Sequence, residues 1–371
     1  MKVLLVGANG YGQNFVKSIF ALHNEGKLTF EGVVTRSAFP MQEELAEAGI
    51  PAYKTLDAFY AERTADLALI STPAFLHREQ SIFCAEHGSH VLCEKPAAPT
   101  VEEVEAMLQA EKETGKFIAI GFQRCFSDAV LNLKKDILNG VLGKPVSMKF
   151  LVSTHRNLAY YSRGGSYAGQ VCTKDGRIIL DSPASNACAH YVQEMLFLLG
   201  DELDVSAEPT LVKGECLRAN DITNFDTCTI QLTAGDNVLV LLVASHAVAP
   251  TPRGPLTQRY TFENAVVTTE GKDMIATFKD GTVKNYGDPF VDQFSVKILH
   301  CLDAIKNNTS PVCTVKTAFP HVKMVDAIYR NIPVAEFAES EKVYTEESVY
   351  VPDLRDKLIE AFEKECMLSE V

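Results

Sequence analysis

The chain has 371 residues, 46% hydrophobic and 22% charged, with 10 cysteines and a formal net charge of −13. That composition suits a globular protein with a sizeable core, in two domains or one large one. The acidic balance excludes nucleic acid and anionic membrane as natural partners, and no apolar run approaches the length of a membrane span.

An apolar run, Val3-Leu4-Leu5-Val6, leads into the turn Gly7-Ala8-Asn9-Gly10-Tyr11-Gly12, and a helical pattern follows from Gln13. Strand, glycine turn and helix in this order set a dinucleotide pyrophosphate against the positive end of a helix. Gly7 suits the tight turn and Gly12 the close packing of helix on sheet. The usual Gly-x-Gly-x-x-Gly pattern places a glycine where this chain has Asn9, with an extra glycine at Gly10. Asn tolerates positive φ better than most residues, which makes the exchange acceptable. Gly7, Asn9, Gly10, Tyr11 and Gly12 are therefore expected to hold the cofactor.

The second strand, about 30–35, ends in Thr35-Arg36-Ser37 with no acidic residue. An acid there would receive a ribose 2′-hydroxyl, whereas a guanidinium beside hydroxyls suits a 2′-phosphate. Arg36 thus favours NADP over NAD; the alternative is a solvated loop arginine. Further strands are expected near 67–71, 89–93 and 117–121. Helices are expected near 40–48, 55–62, 76–87 and 100–114, the last capped by Thr100. This alternation predicts a parallel doubly wound sheet.

Beyond residue 122 the texture changes. A helix near 127–139 precedes strands near 145–155, 209–218, 225–233, 237–247, 257–263, 265–270, 273–278 and 282–286. Several are joined by short turns, which predicts antiparallel pairing. Helical segments fall near 187–199, 291–306, 316–330 and 353–367. The expected fold is an α/β Rossmann domain over residues 1–122. An α+β domain with a large open antiparallel or mixed sheet follows over 123–371. Segment 156–177, rich in Tyr, Gly, Ser and Arg, reads as a long loop of the kind that carries function. No cysteine pair is spaced C-x-x-C, and the opening strand is unlike a signal peptide, so reduced thiols and a cytoplasmic location are expected. His77, His87 and His90 lack metal-ligand spacing.

The chemistry gathers at strand ends. Ile70-Ser71-Thr72-Pro73 closes one strand and Cys93-Glu94-Lys95-Pro96 the next, with His77 between them and Gly121-Phe122-Gln123-Arg124 beyond. Ligands of open α/β sheets bind at such carboxyl ends. Alone, Glu94-Lys95-Pro96 reads more readily as a strand-end ion pair. Together with Ala48-Gly49-Ile50-Pro51 and Gly143-Lys144-Pro145, these segments resemble the glucose-fructose oxidoreductase / inositol dehydrogenase / MocA-like family. The resemblance runs through the N-terminal domain and continues loosely into the sheet beyond it.

It implies an NAD(P)-dependent oxidoreductase acting on sugars, cyclitols or other polyols, assembled as a homodimer or homotetramer. It implies that Lys95 is a catalytic-site residue and that Ser71, Thr72, Pro73, His77, Glu94 and Gln123 line the cofactor site. Arg124 is expected to touch substrate. The family's Asp-x-Gly-x-His signature falls on Asn186-Ala187-Cys188-Ala189-His190, which keeps the histidine and replaces the aspartate. Asn186 cannot accept a proton as a carboxylate does; Asp181 either compensates or caps a turn.

The mechanism this suggests uses His190 as acid and base, Lys95 to stabilise alkoxide charge and Asn186 to orient. Tyr161 and Arg163 are expected substrate contacts or oligomer contacts, with His155 and Arg156 similar. Two other functions compete. One is an NAD-dependent lyase or glycosidase working by transient oxidation. The other is a nucleotide-binding regulatory protein with weakened catalysis, which Asn186 favours and the retained Lys95 and His190 oppose.

Overall fold

The computed structural model describes residues 1–162, 167–251 and 256–371. The chain forms two compact units, Met1–Ser127 with Phe290–Phe319, and Asp128–Pro289 with Pro320–Val371. A division at residue 122 therefore differs from the packing by residues 123–127 and by the segment 290–319. That segment buries Ile298, Cys301 and Leu302 and supplies the cation facing Glu94, so it packs with the first unit.

The first unit runs β1 (Lys2–Val6), α1 (Gly12–Asn24), β2 (Thr29–Val34), α2 (Gln42–Glu47), β3 (Ala52–Tyr53), α3 (Leu56–Glu62), β4 (Leu67–Ile70), α4 (His77–Glu86), β5 (His90–Cys93), α5 (Val101–Thr114) and β6 (Ile118–Ile120). Its sheet has the order β3-β2-β1-β4-β5-β6, with every pair parallel. Leu67–Ile70 and Val3–Val6 are buried on both faces, which is why they read as unbroken apolar runs rather than alternations. α1 sinks Phe15, Val16, Ile19 and Leu22, one stripe of a 3.6-residue helix, against this unit's core. The strand order reverses between β1 and β4. That opens a crevice beyond their carboxyl ends, where Gly7 and Ser71 lie.

The second unit begins with α6 (Asp128–Leu138), β7 (Pro145–Ser153), α7 (Leu158–Ser162) and α8 (Ala189–Leu198). β8 (Pro209–Arg218), β9 (Thr227–Ala234), β10 (Val238–Ser245), β11 (Leu256–Phe262), β12 (Ala265–Glu270), β13 (Asp273–Phe278) and β14 (Val283–Gly287) follow. α9 (Ser295–Asn307) belongs to the first unit, and α10 (Val315–Asn331) crosses the division at Pro320. β15 (Val334–Glu336) and α11 (Leu354–Lys364) complete the unit.

The nine strands are ordered β14-β13-β12-β11-β7-β10-β9-β8-β15. β7–β10 and β8–β15 pair in parallel and the others antiparallel, so the sheet is mixed. Successive β7 residues face opposite ways. Phe150 stacks on Tyr191 of α8 at 4.0 Å, while Lys149 on the other face donates to the Phe362 carbonyl of α11 at 3.1 Å. Leu151, Leu241 and Val243 form a core with Leu354, Leu358 and Phe362 beneath α11. α7 occupies part of the segment that reads as a loop.

Candidate functional site

The glycine turn divides its labour. A Cβ on Gly7 would lie 2.5 Å from the Ser71 carbonyl oxygen, and one on Gly12 would lie 2.2 Å from that of Gly7. Backbone packing therefore demands both glycines. Gly10, at φ 58°, faces open space with no heavy atom within 4 Å. Positive φ falls on Gly7 and Gly10 and not on Asn9, which corrects the tolerance argument for Asn9. Its Nδ2 instead donates to Ser37 Oγ at 3.1 Å, tying the turn to the end of β2. Tyr11 begins α1 without a side-chain cap, and the first turn contains no acid. The Gly10 and Tyr11 amides find no acceptor among the described residues. Backbone donors at a helix N-terminus are suited to an anion. The Tyr11 ring packs on Phe15 and Phe294, and partial burial, then the Glu94 charge, push its phenol up and keep it protonated.

At the end of β2, Arg36 and Ser37 are exposed, and Lys54 Nζ reaches the Arg36 carbonyl at 3.2 Å. The sequence singles out only Arg36; Lys54 is a second cation that folding brings to the same corner.

The ends of β4 and β5 form a braced wall. Ser71 N donates to Val6 O at 2.7 Å, and Thr72 Oγ1 to Gln80 Oε1 at 2.6 Å. His77, 1% exposed, has Nδ1 at 2.8 Å from Pro96 O and Nε2 at 2.8 Å from Thr72 O. Both ring nitrogens are occupied by backbone, so His77 ties the Thr72-Pro73 turn to the segment after Lys95. Burial pushes its pKa down against the upward pull of those two carbonyls. Glu94, 6% exposed, pairs with the fully buried Lys297 of α9, whose Nζ lies 4.8 Å from the Phe15 ring centroid. Gly121 permits this, since a Cβ there would meet Glu94 Oε1 at 2.7 Å. Lys95, half-buried, follows directly. Lys297 lies 203 residues from Glu94 in sequence, and no local pattern marks it. Gln123 donates to Gln293 Oε1 at 2.8 Å, and its own buried Oε1 has no donor. Arg124 is 2% exposed, its guanidinium 4.8 Å from the Phe290 ring centroid.

In the second unit a wide π-type turn, Pro183–Ala187, runs into α8. Ser182 and Ser185 cap each other at 3.2 and 3.0 Å. Leu180 enters the turn at φ 53°, a left-handed conformation costing a side chain about 1–2 kcal/mol. It is followed by Asp181, whose Oδ2 accepts from Gly169 N at 2.6 Å and Oδ1 from Asn186 Nδ2 at 2.8 Å. Asp181 therefore fixes which way the Asn186 amide faces. His190 stands in the first turn of α8, half-buried. Tyr161 of α7 interacts with Asp226, Asp181 and Arg156; burial first, then the two carboxylates, push its phenol far up. Asp181, Asn186 and His190 are thus gathered by one turn with Tyr161 beside it, while Arg163 lies outside the described residues.

Known proteins resemble this chain in sequence over part of its length and in fold over most of it. Residues 1–122 match the model of an oxidoreductase family with an NAD-binding Rossmann fold, the glucose-fructose oxidoreductase / inositol dehydrogenase / MocA group. Inositol 2-dehydrogenase 1 of Mycolicibacterium vanbaalenii is 40% identical over 103 residues, 28% of this chain and 29% of that protein. The 2,7-anhydro-N-acetylneuraminate hydratase of Mediterraneibacter gnavus is 36% identical over 89 residues, 24% of each chain. The chain thus spans less than a third of the length of either curated relative. The crystal structure of an oxidoreductase from Agrobacterium radiobacter, in complex with NAD+, L-tartaric acid and magnesium, superposes with a TM-score of 0.71. It covers 89% of this chain and 95% of that one at 18% identity, a likeness of fold. The likeness in sequence to this NAD-binding oxidoreductase family thus lies in the first 122 residues.

Proposed function

We propose that this protein is an NAD(P)-dependent oxidoreductase acting on a hydroxyl or ketone of a sugar, cyclitol or polyol. The observation that carries the reading is the glycine turn between β1 and α1, whose open Gly10 face and position at the α1 N-terminus fit a dinucleotide pyrophosphate. Bound nicotinamide supplies or receives the hydride. The Gly10 and Tyr11 amides and the α1 N-terminus hold the pyrophosphate. Arg36, Lys54 and Ser37 hold a 2′-phosphate, so NADP is favoured. Ser71, Thr72 and Pro73 shape the wall beside the turn, and the orphaned Gln123 acceptor suits an amide donor of the cofactor.

Lys95 presents its ammonium to the reacting oxygen and stabilises alkoxide charge. His190 takes the hydroxyl proton and returns it in the reverse direction. Asn186 orients the substrate hydroxyl or the imidazole. Asp181 acts through it: the carboxylate is occupied by Gly169 and Asn186, which leaves it a positioning residue. The substrate class follows the similarity to inositol dehydrogenase, and a homodimer or homotetramer is part of the same reading. All ten thiols are free, which fits a reducing, cytoplasmic setting. Among the described residues no helix is long and apolar enough to cross a membrane.

The test is turnover of a polyol and sugar panel with NADP and NAD, followed by absorbance of the reduced nicotinamide. His190→Ala and Lys95→Ala are each expected to lower kcat roughly 100-fold or more. Near-normal turnover in both variants would end the assignment. The similarity to a hydratase favours a second reading, in which oxidation is transient. Substrate would then be consumed with no accumulation of reduced cofactor.

A further inference from the structure

Two donors in the second unit lack acceptors. Arg156 follows β7, and its Nε is shielded from solvent with no hydrogen-bond partner. The guanidinium lies over the Tyr160 ring, 4.6 Å from its centroid. Tyr161 Oη is likewise shielded and unpartnered. Among the described residues, neither side chain has a hydrogen bond or an ion pair. The two are close enough to interact electrostatically, and Tyr161 also senses Asp181, the residue that holds Asn186.

The framework aims these groups. Arg156 N donates to His246 O at 3.0 Å. The preceding His155 is pinned by Val248 O at 2.8 Å and Ser348 Oγ at 2.9 Å. Tyr160 sets its edge on His246 at 5.8 Å and on Tyr161 at 5.2 Å. Arg156 is therefore held in place at its backbone and against an aromatic ring, unlike a loose surface arm.

The neighbouring carboxylates are not its partners. Asp181 is taken by Gly169 N and Asn186 Nδ2. Asp226, 1% exposed, accepts from Ala219 N, Asn220 N, Asn220 Nδ2 and Thr227 Oγ1 at 2.8–3.1 Å. A guanidinium Nε shielded from solvent without an acceptor is unfavourable, and the planar fork it belongs to matches an oxyanion.

We propose that Arg156 and Tyr161 form a subsite for a carboxylate on the substrate, which makes that substrate an acidic sugar or polyol of the uronate or aldonate type. The word substrate rests on the oxidoreductase reading; the subsite itself does not. A carboxylate fits better than a phosphate, because a second negative charge would stand near Asp181 and Asp226. Tyr161 keeps its proton and serves as a donor.

The experiment compares D-glucuronate, D-galacturonate and D-gluconate with D-glucose, D-galactose and glucose 6-phosphate. Turnover is measured with NADP and NAD, and binding by titration calorimetry. The expected result is a preference of at least about 100-fold in kcat/KM for the carboxylates over the neutral sugars. Arg156→Gln should raise their KM about 100-fold with kcat little changed, Arg156→Lys should restore part of it, and Tyr161→Phe should cost about 10-fold. Circular dichroism and Tm of each variant show that the fold is kept. Oxidation of neutral sugars as well as acids, with Arg156→Gln silent, overturns the subsite and leaves the oxidoreductase reading standing. Carboxylate binding that is lost in Arg156→Gln, with no turnover of any compound, upholds the subsite and sinks the oxidoreductase reading. A preference for glucose 6-phosphate, or no carboxylate binding at all, overturns the subsite.

Discussion

Replacing Lys297 with Met strands the Glu94 carboxylate. Lys297 is 0% exposed and Glu94 6%, so water cannot take the place of the missing ammonium. Among the described residues, the only other polar contact of Lys297 Nζ is Gly121 O at 3.4 Å, a weak one. Breaking one side of a buried pair costs about 3–5 kcal/mol, because the remaining charge stays desolvated. That corresponds to a fall in Tm of roughly 4–6 °C for a chain of 371 residues. The double variant Glu94→Gln with Lys297→Met removes the stranded charge and should recover all but about 1–2 kcal/mol. Urea unfolding of wild type, both single variants and the double variant measures all of this. A Lys297→Met loss below about 1 kcal/mol, or a double variant no better than the single one, refutes the reasoning.

Gly12→Ala should disrupt the turn itself, with a lower Tm, because its Cβ would overlap the Gly7 carbonyl oxygen at 2.2 Å. Gly10→Ala should cost only about 1 kcal/mol of stability yet weaken NADPH binding in a fluorescence titration at least 10-fold; equal affinity would show that the open face does not meet the cofactor. Arg36→Ala should raise the KM for NADP about 10-fold or more and leave that for NAD nearly unchanged, in steady-state assays with either cofactor. Glu111 and His90, which accept from the Ile118 and Phe117 amides at 2.6 and 3.2 Å, have opposite pH dependences. Burial raises Glu111 from 4.5 to about 7, so the native state binds the extra proton and stability falls as pH rises through that interval. Burial, then Lys116, lower His90 from 6.5 to about 4, so stability rises over nearly the same interval. Glu111→Gln should therefore unmask a stability that climbs with pH; an unchanged urea profile would contradict the assignment.

The first sheet was legible because strands buried on both faces leave unbroken apolar runs, and helices of 3.6-residue period separate them. β3 escaped because two paired residues, Ala52 and Tyr53, leave no periodicity to read. The strands of the second unit were legible from their turns, whereas the parallel pairing of β7 with β10 is a long-range choice that no local signal encodes. The Glu94–Lys297 pair illustrates the same limit. A lysine in the middle of an ordinary helix gives no sign that it meets a carboxylate 203 residues away. Asn9 shows a different failure. Its residue type suggested a backbone explanation, and its side chain supplied a tether to Ser37 instead. Asp181 stands out in the sequence, but only the folded turn shows that its carboxylate accepts from Gly169 and Asn186.

α11 lies across β7 and β10 with Leu354, Leu358 and Phe362 against Leu151, Leu241 and Val243. The helix is thus the lid on the apolar centre of the sheet, whereas Val146, Val212 and Val283 stand 52%, 56% and 60% exposed on β7, β8 and β14. A chain cut before Leu354 would lose that lid and bare the centre of the sheet to water.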